Sequence, residues 1–491
     1  MAIRKQRLAT ALSVIALLAG CSSGGGPTAT SGGSTSSTAS APAPSPSQSP
    51  TSGTCTLRAR QDWALAQLRE WYLFPETLPP SLDPAPFTTV SDYIDALTAT
   101  ARSQNRDRFF TFITSISGEN AFFSSGSSAG FGVRLAFDSA SRLFVAESFE
   151  GAPALAAGID RGAQIVAIGS SATTLQTVAS LIASGGNSAV TNALGPNTAG
   201  TVRALQIADA AGTRTVTVTK ADFSLTPVSS RYGAQIINDG GRRVGYLNLR
   251  TFISTADQQL RDAFANFRAQ GITDIIIDFR YNGGGLVSTA ELMGDLLGGN
   301  RSTSQVFNIT AFRPDKASNN STRNFRPLAQ SISPMRIAFI GTSASASASE
   351  LVANSMLPYL RTNTALIGAN TFGKPVGQIG LDLAACDDRL RVVAFADQNA
   401  DRQGDYFTGL ASVFPVTCRA SDDFSRPLGD PQEASTRAAL NFLSGQSCTP
   451  ISSAPGGTTG SQNATDTISP EQQLLSVDHP TPAQREVPGL F

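Results

Sequence analysis

The sequence predicts a multidomain protein of mixed α/β and β structure, and three observations lead to this prediction. A chain of 491 residues is too long for one hydrophobic core, so two or three domains are expected. Apolar residues first recur at three- and four-residue spacing, then in short β-rich runs, and then in alternating strands and helices. The expected order is a small N-terminal helical domain, a β-rich domain and an α/β core in which a sheet is layered with helices.

The first residues have the pattern of a signal peptide. Three basic residues precede an apolar run that is too short to cross a bilayer. The run ends in Leu-Ala-Gly-Cys21, which resembles the bacterial lipoprotein cleavage box. This resemblance implies a signal peptide over residues 1–20, lipidation of Cys21 and anchoring of an exported protein to a membrane. Ser22 suits sorting to the outer membrane, with the protein facing the periplasm or the cell exterior. The alternative to lipidation is an ordinary signal peptide with a cysteine near its cleavage site.

Two segments have compositions that cannot build a hydrophobic core. Residues 21–54 and 449–491 are rich in Ser, Thr, Gly and Pro, so we expect a disordered linker and a disordered tail. The single histidine, His479, lies in the expected tail. Because a Ser-His-Asp triad, a Cys-His pair and the usual zinc sites need imidazole in a packed site, we expect none of them, and no metal or other cofactor.

Charge and cysteine content narrow the function further. The 37 basic and 37 acidic residues give a net charge of zero, so no nucleic-acid partner is expected. Four cysteines follow Cys21, and an even number in an exported chain predicts two disulfides with three possible connectivities. Cys55 and Cys448 bracket the expected folded region, and Cys386 and Cys418 lie close together near its end. This spacing favours a nested pairing of Cys55 with Cys448 and of Cys386 with Cys418.

The first two expected domains differ in the period of their apolar residues. In residues 55–127, DWALAQLREWYLF and DYIDALTATAR have the spacing of amphipathic helices. In residues 128–224, five short runs predict strands: FGVRLAF, RLFVAES, QIVAIG, VRALQI and TVTVTK. The second region resembles a PDZ domain, in which Gly130-Phe131-Gly132-Val133 would be the loop that holds a peptide carboxylate. The resemblance implies that Phe131, Gly132 and Val133 bind a peptide end while the peptide adds a strand to the sheet edge.

The α/β core is expected over residues 225–448, and three of its segments follow predicted strands. They are Asp278-Phe-Arg-Tyr-Asn-Gly-Gly-Gly285, Ser343-Ala-Ser-Ala-Ser-Ala-Ser-Glu350 and Thr371-Phe-Gly-Lys-Pro-Val-Gly-Gln378. Each segment alone is a weak signal, since glycine runs are usually turns and serine runs are usually linkers. Strand ends are nevertheless where α/β proteins place reactive groups, so we expect the chemistry here.

Together the three segments resemble the carboxyl-terminal processing, or tail-specific, serine peptidases, which carry a PDZ domain and a Ser/Lys site. The resemblance extends from about Asp107 to Phe442, and its motifs stand in the family's order. It implies an endopeptidase that hydrolyses peptide bonds of exported proteins, whose partners are protein or peptide substrates. The PDZ domain would recognise or gate polypeptide ends.

The resemblance assigns roles to individual residues. The nucleophile is Ser347, the general base is Lys374 and the third member is Gln378, while Ser343, Ser345 and Ser349 are alternative registers of the serine run. A lysine base must be neutral, so burial has to lower its pKa from about 10.4. The backbone N–H groups of Gly284 and Ala348 are the expected oxyanion donors.

Two other functions compete with this interpretation. A catalytically silent, lipid-anchored PDZ-type protein would keep the fold and bind peptides only. A penicillin-binding or β-lactamase-type acyl transferase also uses Ser and Lys, but it needs Ser-x-x-Lys, and no lysine follows the serine run at that interval.

Overall fold

The computed structural model describes residues 55–452, 473–477 and 480–491, which lie in one compact unit, Pro50–Phe491. The predictions for the signal peptide, for Cys21, for the linker and for His479 concern residues outside the described ranges. None of the described helices is long and apolar enough to cross a membrane.

The described helices and strands follow one another along the whole unit. The helices are α1 Leu57–Trp71, α2 Val90–Leu97, α3 Ala99–Ser103, α4 Ile116–Ser125, α5 Pro153–Ala156, α6 Val178–Leu194, α7 Ala256–Ala269, α8 Val287–Leu297, α9 Ala348–Leu360, α10 Ala434–Leu443 and α11 Pro482–Glu486. The strands are β1 Phe112–Ser115, β2 Ser127–Gly130, β3 Val133–Phe137, β4 Leu143–Ser148, β5 Gln164–Gly169, β6 Gln176–Thr177, β7 Val202–Asp209, β8 Gly212–Thr219, β9 Ala221–Ser224, β10 Ala234–Asp239, β11 Arg242–Asn248, β12 Asp274–Asp278, β13 Val306–Phe312, β14 Ser321–Asn324, β15 Arg336–Gly341, β16 Thr364–Gly368, β17 Val376–Leu383, β18 Asp388–Gln398, β19 Thr417–Arg419 and β20 Gln473–Leu474.

The central sheet has the strand order β10-β11-β12-β15-β16-β19. All neighbouring pairs are parallel except β10 with β11. Three successive isoleucines in β12 are buried, as expected of a strand that is covered on both faces. Helices α7, α8 and α9 share one apolar cluster with the sheet, and α10 packs on the other face. This layering confirms the predicted mixed α/β and β fold class.

A second sheet forms the β-rich region and has the order β20-β3-β4-β5-β7-β8, with β6 beside β5. Its strand pairs are antiparallel, and its own apolar cluster includes Phe131, Val133 and Ile165. The predicted strands of this region correspond to β3, β4, β5, β7 and β8. The short β2 and β9 pair where the chain enters and leaves this region.

The N-terminal helices pack against a third sheet. Strand β1 pairs with β18, which also pairs with β17 and β13. The apolar faces of α1 and α2 pack in one cluster with residues of β17 and β18. The segment predicted as a separate helical domain therefore contributes a strand and a packing surface to the core.

The cysteine pairing predicted from sequence spacing is wrong. The disulfides are Cys55–Cys386, with a Cα–Cα distance of 5.6 Å, and Cys418–Cys448, at 5.3 Å. Cys55 precedes α1, which packs against β18, and Cys386 lies in the turn between β17 and β18. Cys418 and Cys448 lie in the apolar cluster that contains α10. A disulfide needs close Cα atoms whatever the sequence separation, so the packing of α1 and of α10 decided the pairing.

The expectation of a disordered tail from residue 449 is also wrong for the described part of that region. Residues Gln473 and Leu474 form β20 against β3, and Pro482–Glu486 form α11. Val487, Leu490 and Phe491 are buried among core residues. Composition misled here because a few well-spaced apolar residues can dock a polar segment on a preformed surface.

Candidate active site

The three sequence motifs meet at one edge of the central sheet. They follow β12, β15 and β16, which are adjacent parallel strands. The carboxyl ends of parallel strands lie on the same side of a sheet, so the glycine run, the serine run and the Lys374 loop are brought together. This edge contains the predicted residues Ser347, Lys374, Gln378 and Gly284.

Ser347 stands in a strained turn between β15 and α9. Its backbone has φ +55° and ψ −114°, and the next residue, Ala348, begins α9. Such a conformation costs a non-glycine residue about 1–3 kcal/mol and persists only where the surroundings impose it. The turn leaves the Ser347 side chain partly exposed beside the glycine run, since a Cβ built on Gly284 would be 2.8 Å from Ser347 Cβ.

The other serines of the run have different environments. Ser345 Oγ donates a 2.8 Å hydrogen bond to the Phe279 carbonyl, and Ser349 Oγ donates a 3.0 Å hydrogen bond to the Asn282 carbonyl. Both side chains are buried and connect the serine run to the glycine run. Ser343 is exposed in the loop after β15. These environments favour Ser347 over the alternative registers.

Lys374 lies in the loop before β17, and Gln378 lies within that strand. Their side chains are in contact. Lys374 Nζ donates a 2.8 Å hydrogen bond to Gln378 Oε1, and Gln378 Nε2 donates to the Phe110 carbonyl. The Lys374 ammonium also lies 5.2 Å from the centre of the Phe110 ring. Gln378 therefore fixes the direction of the amine without adding a negative charge.

Burial lowers the pKa of Lys374 from its usual value near 10.5. The carboxylates of Glu486 and Asp107 oppose this shift, and the guanidinium groups of Arg485 and Arg391 reinforce it. Burial also raises the pKa of the nearby Asp397 carboxyl to about 7, and the charge of Lys374 opposes that rise. The net effect favours the neutral amine, which is the form that can accept a proton.

Glu350 connects the serine and lysine segments. The sequence motif contains this residue, but it did not indicate a role for it. Its Oε2 accepts hydrogen bonds from the backbone N–H groups of Ser347, at 3.0 Å, and Lys374, at 2.7 Å. Its Oε1 accepts from the Gly373 N–H at 2.7 Å and from the Thr371 hydroxyl at 2.6 Å. The side chain is fully buried. One carboxylate thus sets the spacing between Ser347 and Lys374.

Arg108 is a second residue whose position the sequence did not reveal. Its guanidinium donates to the carbonyls of Phe372, of Gly373 at 2.8 Å and of Phe407 at 3.3 Å. It also stacks 4.1 Å from the centre of the Phe372 ring. The N-terminal region therefore supports the loop that carries Lys374, a contact between residues more than 260 positions apart.

The backbone N–H groups of Gly283 and Gly284 both have acceptors within the protein. The Gly284 N–H, an expected donor, is hydrogen-bonded to Asn282 Oδ1 at 3.0 Å. The neighbouring Gly283 N–H donates instead to the Glu486 carbonyl at 3.0 Å. Ala348 occupies the first position of α9, where an N–H has no acceptor within the helix, and its nitrogen lies close to Gly284. Gly283 is thus the glycine whose N–H faces a peptide carbonyl, whereas the oxyanion role of Gly284 and Ala348 stays a prediction.

Asp278 and Arg280 belong to a buried group of ion pairs at the end of β12. Arg280 donates to Asp278 and to both carboxylate oxygens of Glu433, and these three side chains are fully buried. The ion pairs fix the end of β12 against α10. In the part of the chain that the structure describes, no group of three or more His, Cys, Asp or Glu residues could hold a metal ion.

The predicted peptide-binding loop leads into β3 of the second sheet. The Gly132 and Val133 N–H groups both donate to the backbone oxygen of Phe491, at 2.9 and 3.2 Å. The side chain of Phe131, within this loop, is fully buried. A Cβ on Gly132, whose φ is +72°, would lie 2.0 Å from Ala152 Cβ, so the loop requires glycine here.

The sequence is similar to that of known peptidases in the region of the three motifs. Residues 243–407 match peptidase family S41, and this region includes the three motif segments. The chain is 28% identical over 187 residues to the chloroplastic C-terminal processing peptidase of Tetradesmus obliquus, covering 35% of this chain and 36% of that protein. It is 29% identical over 135 residues to a Staphylococcus epidermidis protein assigned as a CtpA-like serine protease, covering 28% of this chain and 26% of that protein. The chain thus matches about a third or less of the length of these relatives.

A solved structure is similar over most of the chain. It is the crystal structure of a Bacteroides fragilis protein assigned to the S41 proteases, with a TM-score of 0.61 and 24% sequence identity. The similarity covers 81% of this chain and 99% of that chain. At this identity the comparison concerns the fold alone.

Proposed function

Since residues 243–407 of this chain belong to peptidase family S41, we propose that the protein is a serine endopeptidase with Ser347 as nucleophile and Lys374 as general base. The observation that carries the proposal is the Glu350 carboxylate, which accepts from the backbone N–H groups of both residues. This contact joins the strained turn of a partly exposed serine to the loop of a lysine whose pKa is lowered by burial. Both features are expected of a Ser/Lys site.

The mechanism follows from these positions. Neutral Lys374 takes the proton of the Ser347 hydroxyl while Oγ attacks the carbonyl carbon of the scissile peptide bond. The carbonyl oxygen becomes negative and is stabilised by N–H donors, for which Gly283 and Ala348 are the candidates. The Lys374 ammonium then protonates the leaving amine, and an acyl-Ser347 ester forms. Water then attacks the ester while Lys374 accepts its proton, and Lys374 returns this proton to Ser347 Oγ as the C–O bond of the ester breaks and the acid product leaves.

We propose that the loop at residues 130–133 recognises polypeptide ends, as the PDZ resemblance implies. Two successive N–H groups that converge on one backbone oxygen support this role, since such pairs suit a carboxylate. The adjacent edge of β3, along which Gly489 and Phe491 lie in this structure, would accept an extended peptide in their place. Substrates would be exported proteins or peptides that present such an end.

The test compares peptide hydrolysis by the chain from about residue 54 with that of Ser347→Ala and Lys374→Met. Both substitutions should reduce turnover by on the order of 10⁴-fold, because each removes a reacting group. Ser343→Ala is the matched control, since this exposed serine in the same loop should be dispensable. Casein and peptides with free carboxyl ends are the substrates, and a fluorophosphonate label followed by mass spectrometry identifies the reactive serine.

The alternative is a catalytically silent peptide-binding protein. Unchanged turnover in Ser347→Ala, or labelling at another serine, would disprove the assignment of Ser347. A wild-type protein that hydrolyses no substrate but binds peptide ends would support the silent alternative.

We further propose that the protein is a lipoprotein anchored through Cys21, on the outer membrane where the cell has two membranes. The support is the cleavage box that ends in Cys21 and the serine that follows it. Cys21→Ser should move the protein from the membrane fraction to the soluble exported fraction, as measured by fractionation and immunoblot. Continued membrane association of that variant would contradict the anchor.

A further inference from the structure

The segment from residue 480 to 491, here named the tail segment, binds along the edge of β3. Leu135 N–H donates to the Gly489 carbonyl at 2.9 Å, and Phe491 N–H donates to the Val133 carbonyl at 2.9 Å. The backbone oxygen of Phe491 accepts from Gly132 and Val133, the loop expected to bind polypeptide ends. The tail segment thus has the backbone contacts of an added strand.

Apolar side chains bury the same segment. Val487, Leu490 and Phe491 are exposed by 0%, 1% and 3%, respectively. Phe491 packs in the cluster that contains Phe131 and Val133, whereas Val487 and Leu490 pack with aromatic residues of a neighbouring cluster. Complete burial of each such side chain contributes about 1.5–3 kcal/mol, so the contact is substantial.

The other end of the tail segment lies at the candidate active site. The Glu486 carbonyl accepts from Gly283 N–H at 3.0 Å, and a Cβ built on Gly283 would be 2.4 Å from the Arg485 carbonyl oxygen. Gly283 is adjacent to Gly284, which packs against Ser347. The negative charge of the Glu486 carboxylate stabilises the Lys374 ammonium and so opposes the lowering of the lysine pKa. The segment therefore reaches from the glycine run beside the serine to the loop at residues 130–133.

We propose that the tail segment is an intrinsic ligand that competes with substrate and restrains the peptidase until a polypeptide end displaces it. This inference rests on the proposed function, because it assigns to the same site its inhibitor and its mode of release. The N–H groups of Gly132, Val133 and Gly283 are already occupied by the segment, so a substrate cannot use them until the segment leaves. The Glu486 carboxylate adds a second effect, since it favours the protonated form of the base.

The bound segment also indicates the kind of polypeptide end that would displace it. Phe491 packs in one apolar cluster and Leu490 in another, which favours large apolar residues at the two substrate positions that bind there. At Gly489 the φ is +81°, and a Cβ would be 3.0 Å from Arg134 Cγ, which favours glycine at the position before them. We therefore expect substrates that present a sequence resembling Gly-Leu-Phe to this surface.

Attachment to the same chain sets the strength of the competition. A ligand tethered by a short linker has an effective concentration of about 1 mM. A free peptide of equal intrinsic affinity would have to approach that concentration to displace half of the tail segment. Removal of the segment should therefore increase the apparent affinity for an added peptide by at least about 10-fold.

The binding experiment uses the Ser347→Ala background, so that it does not depend on catalysis. A fluorescent peptide with the sequence of residues 480–491 is titrated by anisotropy into the full chain and into a chain that ends at residue 479. We expect at least 10-fold tighter binding to the shortened chain. The amide of the same peptide is the matched control and should bind more weakly. Equal affinity for the two chains would overturn the proposal.

A second variant covers the case in which the shortened chain does not fold. Leu490→Ala/Phe491→Ala in the full chain removes two buried side chains but keeps the backbone. Its thermal unfolding should stay cooperative, and its affinity for the labelled peptide should rise at least several-fold over the unsubstituted chain. No increase in affinity in a folded double variant would contradict the proposal.

The activity experiment separates this inference from the proposed function. With Ser347 present, the shortened chain and the double variant should hydrolyse peptide faster than the full chain, and the added peptide should inhibit them competitively. Unchanged turnover in both folded variants would overturn the restraint. Absence of hydrolysis in every form, with tighter peptide binding after removal of the segment, would refute the peptidase function and leave the intrinsic ligand established.

Discussion

At the scale of single residues, chemically similar side chains in the serine run have different tasks. Ser345 and Ser349 hold the run to the glycine loop through buried hydrogen bonds, whereas Ser347 occupies the strained turn. Sequence motifs selected Ser347, but they could not explain why its neighbours are unsuitable. The explanation is the direction of each side chain, which the fold of the turn determines.

The pH dependence of turnover tests the state of Lys374. Burial lowers its pKa, so the reactive neutral amine should form below the pH of a free lysine, and activity should rise with pH through that lowered value. Glu486→Gln removes a carboxylate that stabilises the ammonium, so the rising limb should shift to lower pH. The measurement is kcat/KM from pH 5 to 10 for both proteins.

The neighbouring charges define the control for this experiment. Glu486→Gln leaves in place the other charged groups that interact electrostatically with Lys374, which are Asp107, Asp397, Arg391 and Arg485. A rising limb at the pKa of free lysine, or a shift to higher pH in the variant, would contradict the assigned role of Lys374. Glu76→Gln, on the exposed surface, should leave the profile unchanged.

At the scale of elements, the site depends on a contact between the start of α9 and the loop before β17. Glu350 in the first turn of α9 accepts from two successive N–H groups of this loop, those of Gly373 and Lys374. Neither element alone contains both reacting groups. Arg108 reinforces the same loop from the N-terminal region.

Glu350→Gln tests this contact. The amide NH₂ of glutamine would replace one acceptor oxygen among four donors, so the loop should move relative to Ser347. A misplacement of reacting groups by 1 Å can cost about 100-fold, so we expect kcat to fall by about 10- to 100-fold with a smaller change in KM. Steady-state kinetics gives both constants.

Glu291→Gln is the matched control for this substitution, because Glu291 forms an ion pair with Arg323 outside the described site. It should retain turnover. If Glu350→Gln kept wild-type kcat, or if kcat fell only because the protein unfolded, Glu350 would not be a positioning residue. Circular dichroism at the assay temperature separates these outcomes.

At the scale of the whole molecule, buried ion pairs connect the β-rich region to the α/β core. Glu147 in β4 accepts from Arg134 at 3.2 Å, from Arg250 at 2.6 Å and from the Tyr232 hydroxyl. Arg134 also donates to the carbonyls of Tyr281 and of Pro488, at 2.9 and 2.6 Å. This cluster therefore links the second sheet, the glycine-run segment and the tail segment.

Glu147→Gln should destabilise the protein. Removal of the charge leaves Arg134 and Arg250 buried without their carboxylate, which typically costs about 3–5 kcal/mol. Chemical and thermal unfolding of the variant measure this loss. Glu76→Gln, in an exposed ion pair with Arg106, should change stability by less than about 1 kcal/mol.

Acid unfolding provides an independent measure of the same cluster. Burial would raise the pKa of Glu147, but Arg250 and Arg134 outweigh it and hold the pKa at about 2. A lowered pKa contributes stability that is present above about pH 4.5 and is lost as the pH falls toward 2. Glu147→Gln should lack this part of the acid transition. An unchanged acid transition would show that the cluster does not stabilise the fold.

The sequence by itself determined the fold class, the strands of the β-rich region and the order of the three motifs, because local periodicity and short motifs encode them. It also predicted two disulfides, although their pairing depended on how α1 packs against β18. Tertiary structure alone decided the role of Glu350, the orientation of the glycine N–H groups and the docking of residues 480–491. These features arise from contacts between distant segments, and neither composition nor spacing along one segment contains the distance between two others.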